Sequence, residues 1–264
     1  MAQIHPTSVV EDGAQIHESV SIGPFCWIGP QAKLDAGVKL VSHVTVIGQS
    51  HIAEDCELFP GVVVGGRAQV LGAKDGEDRV EVGARTILRE GVTIHGASAG
   101  KDEPTRVGSD CFFMNNTHVG HDCQVGNKCV FANNAMVGGH CIVADQVWFA
   151  GNTAIHQNSW IGEHAFIAAG APITGDVIPY VSTNMVASSF STLNVVGLTR
   201  RGFSRADMKE MRQLIRFVFA SDQGTFSERV DAASSEFAGR PLAENILKFI
   251  KHPRSGRKLC TYEG

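Results

Sequence analysis

No run of 18 or more apolar residues occurs in the sequence, so hydropathy offers no membrane-spanning helix. There is no basic excess either: 23 Lys and Arg stand against 27 Asp and Glu, and a net charge of −4 argues against nucleic acid as a partner. The opening residues show no cationic leader followed by an apolar stretch, and the expected location is cytoplasmic. Seven cysteines in 264 residues make a sparse disulfide framework, and none is arranged as Cys-x-x-Cys. What remains, 43% apolar and 19% charged, describes a soluble globular chain of one or two domains.

What is present is a repeat. From Ile4 to Val64 every sixth residue is apolar, and Val70, Val82, Leu88 and Ile94 keep the phase, with Gly76 the single break. A second row, one residue out of phase, runs from Val107 through Phe113, Val119, Val125, Phe131, Val137 and Val143 to Ile173 without a miss. A period of six fits neither an α-helix nor an alternating strand, but it fits the hexapeptide form of the parallel β-helix, with about 18 residues to a triangular coil. The residue after each apolar position is mostly small, as at Gly108, Gly120, Gly126 and Gly138, which is read as the needs of a tight corner. Cys26, Cys56, Cys111, Cys123, Cys129 and Cys141 all stand two residues before an apolar position, so they are expected as buried thiols, with Cys260 alone open to reagents.

Two stretches, 65–79 and 95–106, interrupt the coil and are expected to loop out, the second shifting the phase. The repeat fades after Ile173, and from Ser204 the period turns helical, with Asp207 completing a capping pattern and Met208, Met211, Leu214, Ile215 and Val218 on one face. Weaker helical segments follow near Thr225 to Phe237 and Leu242 to His252, in a tail expected to pack on a neighbour. The expected division is a β-helix over 1–186 and a linker with a C-terminal helical domain over 187–264.

The chemistry is expected at Asn116-Thr-His-Val-Gly-His-Asp-Cys123, where His121 is followed by Asp122. An imidazole whose tautomer is fixed by a carboxylate serves as a general base near neutral pH. Residues 18 apart stack one coil apart, about 4.8 Å away, which puts Gly139 over His121 and His140 over Asp122. A backbone N–H near Gly139 would then face an oxyanion formed beside His121. His118, His140 and His156 join the cluster, whereas His5, His17, His43, His51 and His164 read as polar residues on the outside of the coil. Zinc is the other reading of clustered histidines, but the close pair here is three residues apart and carries an aspartate, so no metal and no cofactor are expected.

With these residues and the later Gly197-Leu-Thr-Arg-Arg-Gly-Phe-Ser204 in view, the chain resembles the UDP-N-acetylglucosamine O-acyltransferases of lipid A synthesis over nearly its whole length. Further matches are Ile22 to Cys26, Pro104 to Asp110, Ala132 to Ala135 and Thr153 to Gln157. The resemblance implies a left-handed β-helix, a homotrimer with sites between subunits, and acyl transfer from acyl carrier protein to the 3-hydroxyl of a UDP-sugar acceptor. It implies His121 as base, Asp122 as its orienting partner and Gly139 as oxyanion donor. His118, His140, His156, Gln157 and Gln69 would line the site, Asn194, Arg200 and Arg201 would meet the nucleotide sugar or its phosphates, and Ala169 would act as the ruler of acyl length. Departures fall on the acceptor side: Val70 and Gly72 stand where the family often has Asp and Lys, Ala187 where it has His, and Val196 where it has an acidic residue. A 3-amino sugar nucleotide is therefore kept open as acceptor, as are an acetyl-CoA-dependent enzyme of the same fold and a non-catalytic nucleotide-sugar-binding paralogue. The basic stripe Arg200, Arg201, Arg205, Lys209, Arg212 and Arg216 favours an acidic carrier protein as donor.

Overall fold

The computed structural model describes residues 2–72, 78–185, 187–252 and 258–264. Gly76 and residue 186, where the first unit was expected to end, lie outside them. Short strands of two to five residues, parallel except for one pair near the C-terminal end, stack into sheets of 12, 9 and 8 strands, the three faces of a left-handed parallel β-helix. The register confirms the arithmetic of the repeat: Gln3 pairs with Ser21, Val9 with Trp27 and Gln15 with Lys33. Along the coil the apolar residues of the hexads point inward, and Ile28, Leu58, Ile94, Val119 and Ile173 are all fully buried. In the first sheet Phe113, Phe131 and Phe149 stack through successive coils, with ring centroids 4.3 and 4.4 Å apart. Such offset ring contacts add to the burial of large apolar surfaces.

The corners work differently from the sequence reading. The left-handed turn is made three residues after the inward apolar residue, by Asn116, Asp122, Lys128, Asn134, His140 and Gln146, with φ from 56° to 61°. Asn, Asp and His are enriched in this region, so Asp122 and His140 occupy corners whose backbone suits them. The small residue after the apolar one serves stacking instead. A β-carbon on Gly120 would lie 2.7 Å from the backbone nitrogen of Gly139, and one on Gly108 would lie 2.5 Å from Gly126.

Insertions leave the coil after Gly66 and after His95, and the strands Val63–Gly66, Thr93–His95 and Thr105–Val107 take in the ends of the two stretches read as loops. Ser50 pairs with Val80, 30 residues on, and Val82 with Val107, 25 residues on, so the second insertion accounts for the phase shift. Val70, in phase by sequence, is 45% exposed in the first loop and belongs to no strand.

All seven cysteines are buried thiols, and Cys260, expected to be accessible, is 3% exposed beside the Ser188 hydroxyl. Coil thiols from Cys56 on donate to carbonyls of the next coil, for example Cys123 to Gly138 at 3.1 Å and Cys141 to His156 at 3.2 Å. Burial pushes the Cys56 thiol up to about 12. A thiol that is neither ionised nor reachable does not react. Labelling with a soluble disulfide reagent should therefore modify fewer than one thiol per chain until denaturant is added; rapid labelling of two or more would contradict the packing.

Beyond Ile173 the first sheet continues through Val181–Thr183, the antiparallel Ser189–Leu193 and the terminal Thr261–Tyr262. Helices α1 (Val195–Arg200), α2 (Arg205–Ile215), α3 (Phe226–Glu236) and α4 (Pro241–Lys251) follow Ser189–Leu193. The Ser204 and Asp207 capping box opens α2, and Met208, Met211, Leu214 and Ile215 are buried as the pattern required. Thr225 and Glu228 cap α3 in the same way. The tail docks on the last coils of its own chain: Phe249 packs on Trp160 at 4.8 Å, and Asn245 donates to Glu163 at 2.7 Å. No described helix is long and apolar enough to cross a membrane.

Candidate active site

His118 opens a strand of the second sheet, and His121 and Asp122 form the corner that leads to the third. One coil on, Gly138, Gly139 and His140 form the next corner, and His156 and Gln157 the one after. Together with Gln69 of the first loop, His118, His121, Gly139, His156 and Gln157 line a cleft of about 350 Å³. The arithmetic of the repeat thus brings its residues together.

Asp122 accepts from Nδ1 of His121 at 2.7 Å. A carboxylate can only accept, so this bond puts the imidazole proton on Nδ1 and leaves the lone pair on Nε2. That atom faces Gly139: a β-carbon there would come within 2.5 Å of Nε2, so only glycine leaves room in front of the ring. No described residue accepts from the Gly139 N–H, which leaves it available to an oxyanion. His121 itself is 8% exposed.

Three residues supporting this cluster were not found in the sequence. Ser98, in the second insertion, donates its N–H to Oδ1 of Asp122 at 2.9 Å and its hydroxyl to Oδ2, and that hydroxyl lies 3.1 Å from Nδ1 of His121. Thr105, where the insertion rejoins the coil, accepts the Asp122 N–H at 2.8 Å. Thr93 bonds Nδ1 of His118 at 2.8 Å. Ser98 lies in the insertion, outside the stacked strands, and Thr105 stands one coil below Cys123, but the His-Asp motif gave no cue to either.

Burial opposes ionisation of Asp122, but hydrogen bonds from His121 and Ser98 outweigh it and hold its carboxyl below the usual range. Burial, with His95 and His121 nearby, lowers His118 to about 4, so it is neutral at physiological pH and offers a hydrogen bond rather than a charge. His140, also lowered by burial, lies with its Nδ1 3.5 Å from Asp122 and its ring 4.9 Å edge-on from that of His121.

His121, Asp122 and His140 offer three ligand atoms within 4.8 Å. The His121 to Asp122 separation of 2.7 Å is a hydrogen bond, whereas two ligands about 2.0–2.1 Å from one tetrahedral ion stand more than about 3 Å apart. The geometry suits proton transfer better than zinc.

Asn194, Arg200 and Arg201 gather elsewhere. With Trp148, Phe166, Leu193 and Val196 they line an apolar cavity of about 610 Å³ on the outer face of the first sheet. Asn194 caps α1 through Gly197 at 3.1 Å and ties it to the His164 carbonyl at 3.0 Å. Arg201 turns inward to the Gln146 carbonyl at 3.0 Å, while Arg200 is exposed. In a triangular coil the first sheet is the face opposite the corner between the second and third, so this cavity and the His121 cleft lie on opposite sides of one chain. Ala169 sits at the remaining edge of the second sheet, in the corner between Phe166–Ile167 and Pro172–Ile173. Val196 is 63% exposed in its apolar cavity.

The family profile described as "Udp N-acetylglucosamine O-acyltransferase; Domain 2" matches residues 176–260, and one for bacterial transferase hexapeptides matches residues 104–139. An acyl-[acyl-carrier-protein]--UDP-N-acetylglucosamine O-acyltransferase of Bartonella quintana is 43% identical over 259 residues, 98% of this chain and 94% of its own. One of Mesorhizobium japonicum is 44% identical over 247 residues, 94% and 88% of the two chains. The solved UDP-N-acetylglucosamine acyltransferase of Francisella novicida superposes with a TM-score of 0.92 at 29% identity, covering 99% of this chain and 94% of that one.

Proposed function

The chain belongs to the UDP-N-acetylglucosamine O-acyltransferases, and from that membership we propose how its residues divide the transfer of an acyl chain from acyl carrier protein to UDP-N-acetylglucosamine, the first step of lipid A biosynthesis. The observation that carries the reading is the His121 imidazole, its Nδ1 held by Asp122 and its Nε2 open beside Gly139. Nε2 takes the proton of the sugar 3-hydroxyl as that oxygen attacks the thioester carbonyl. The oxyanion accepts from the Gly139 N–H. On collapse the C–S bond breaks, the ester remains on the sugar, and the proton passes from His121 to the departing carrier thiolate.

His118, His156, Gln157 and Gln69 line the cleft that receives the acceptor, His140 adjoins Asp122 outside that lining, and the exposed Arg200 supplies charge to the diphosphate. Since Arg200 and His121 lie on opposite sides of one coil, the complete site needs a neighbouring copy, which fits a homotrimer with sites between subunits. The acidic carrier docks on the exposed Arg205, Lys209, Arg212 and Arg216 of α2 and the short π-helix that continues it. A carrier protein and a sugar nucleotide as substrates support a cytoplasmic location.

The purified protein should release carrier thiol from a 3-hydroxyacyl carrier thioester only when UDP-N-acetylglucosamine is present. The 3-amino analogue is the informative second acceptor, because Val70 and Gly72 leave the first loop without the expected carboxylate and ammonium. No thiol release with either acceptor would overturn carrier-dependent transfer, and acetyl-CoA as donor then separates an acetyltransferase of the same fold from the nucleotide-sugar-binding reading.

Ala169 is the proposed length ruler, and its methyl shortens the groove relative to glycine. Each excluded CH₂ forfeits about 0.8 kcal/mol, enough to favour one length several-fold. On a ladder of carrier thioesters Ala169→Gly should move the optimum by one or two methylenes towards longer chains; an unchanged profile would assign length selection to another residue.

A further inference from the structure

Two histidines reach for one carboxylate oxygen. Oδ2 of Asp122 lies 2.7 Å from Nδ1 of His121 and 3.5 Å from Nδ1 of His140, and nothing in the hexad repeat decides between them. The decision comes from the second insertion. Ser98 grips both oxygens, with its N–H on Oδ1 and its hydroxyl on Oδ2, while Thr105 holds the Asp122 backbone. Two donors on two oxygens fix the carboxylate plane as well as its position, and the Ser98 hydroxyl, 3.1 Å from Nδ1, closes the triangle around the His121 bond.

We propose that Ser98 is a positioning residue for acyl transfer: it locks Asp122 onto His121 rather than His140, and so fixes the tautomer that leaves Nε2 free. The assignment rests on His121 being the base. Without the hydroxyl, Oδ2 loses one charge-assisted bond and the carboxylate can rotate about its remaining anchor towards His140. The ground-state cleft is barely altered, since Ser98 does not line it. The loss therefore falls on the chemical step.

The loop survives removal of the hydroxyl, because Gly96 still donates to Gly66 at 2.8 Å, Ala97 to Arg79 at 3.1 Å and Thr105 to Arg79 at 3.0 Å. The test is steady-state kinetics of the full chain with a 3-hydroxyacyl carrier thioester and UDP-N-acetylglucosamine, for Ser98→Ala, Ser98→Thr and His121→Ala side by side, with thermal unfolding as a check of folding. A hydrogen bond to a charged group is typically worth about a factor of ten or more in rate when it serves the transition state. Ser98→Ala should lose about tenfold or more in kcat with KM for both substrates within about twofold, and Ser98→Thr, which keeps the hydroxyl, should regain at least about half of kcat. A Ser98→Ala enzyme with unchanged kcat, one whose loss falls on KM, or a threonine variant as slow as the alanine one overturns the proposal. If instead His121→Ala keeps more than about a tenth of turnover, the base assignment itself fails, a result that the Ser98 variants alone would not produce.

Discussion

His121→Ala should lose about 10²- to 10⁴-fold in turnover, the range typical of removing a general base, while KM for either substrate changes little. The reason lies in what the ring touches. Its partners are Asp122, Ser98 and the edge of His140, all outside the apolar interior of the coil, whose stability comes from the inward row and the stacked phenylalanines. Losing the imidazole therefore leaves the register intact, and the assembly should elute and unfold as the wild type does. Turnover measured with saturating thioester and acceptor, on protein checked by size exclusion and thermal unfolding, decides the matter. More than about a tenth of wild-type turnover in a folded variant would show that another group takes the proton.

The second large effect concerns where a site is assembled. His121→Ala and Arg200→Ala should each be nearly inactive alone, yet co-assembled in equal amounts they should recover activity. One chain presents His121 at a corner and Arg200 on the opposite face, so in the proposed trimer a working site would take the histidine from one copy and the arginine from the next. In randomly mixed trimers the histidine-bearing side is intact in about half of the interfaces and the arginine-bearing side independently in about half, giving roughly a quarter of the wild-type sites. Arg200 is the better probe of the two arginines because Arg201 is bonded to the Gln146 carbonyl and its loss would also disturb packing. If both residues served one substrate from the same chain, no mixed interface would be complete, and the mixture would show no more activity than its parents.

The sequence by itself determined the coil, its stacking and which residues of the candidate site stand together. A row of inward residues at every sixth position can be buried only by a parallel β-helix, because no other backbone period turns one residue in six to the same side. Once the coil is granted, counting 18 residues places Gly139 over His121 and His140 over Asp122, so a tertiary neighbourhood was legible from spacing alone. The capping box at Ser204 and the apolar face behind it were equally local, since a helix start depends on residues three and four apart.

Only the tertiary structure decided what the insertions do. The second one takes Ser98 outside the stacked strands, so no count of coil positions says that Ser98 ends on Asp122. The role of the small corner residues was likewise hidden, because the space in front of Gly120 is filled by a residue of the next coil rather than by its own turn. Cys260 read as exposed because it lies in the tail, and it is buried because that tail returns to pair with Ser189–Leu193. The opposition of His121 and Arg200 needed the three faces closed into a triangle. Contacts between periodic positions follow from the backbone repeat, whereas contacts made by a loop, a returning terminus or a second face depend on where the chain closes in space.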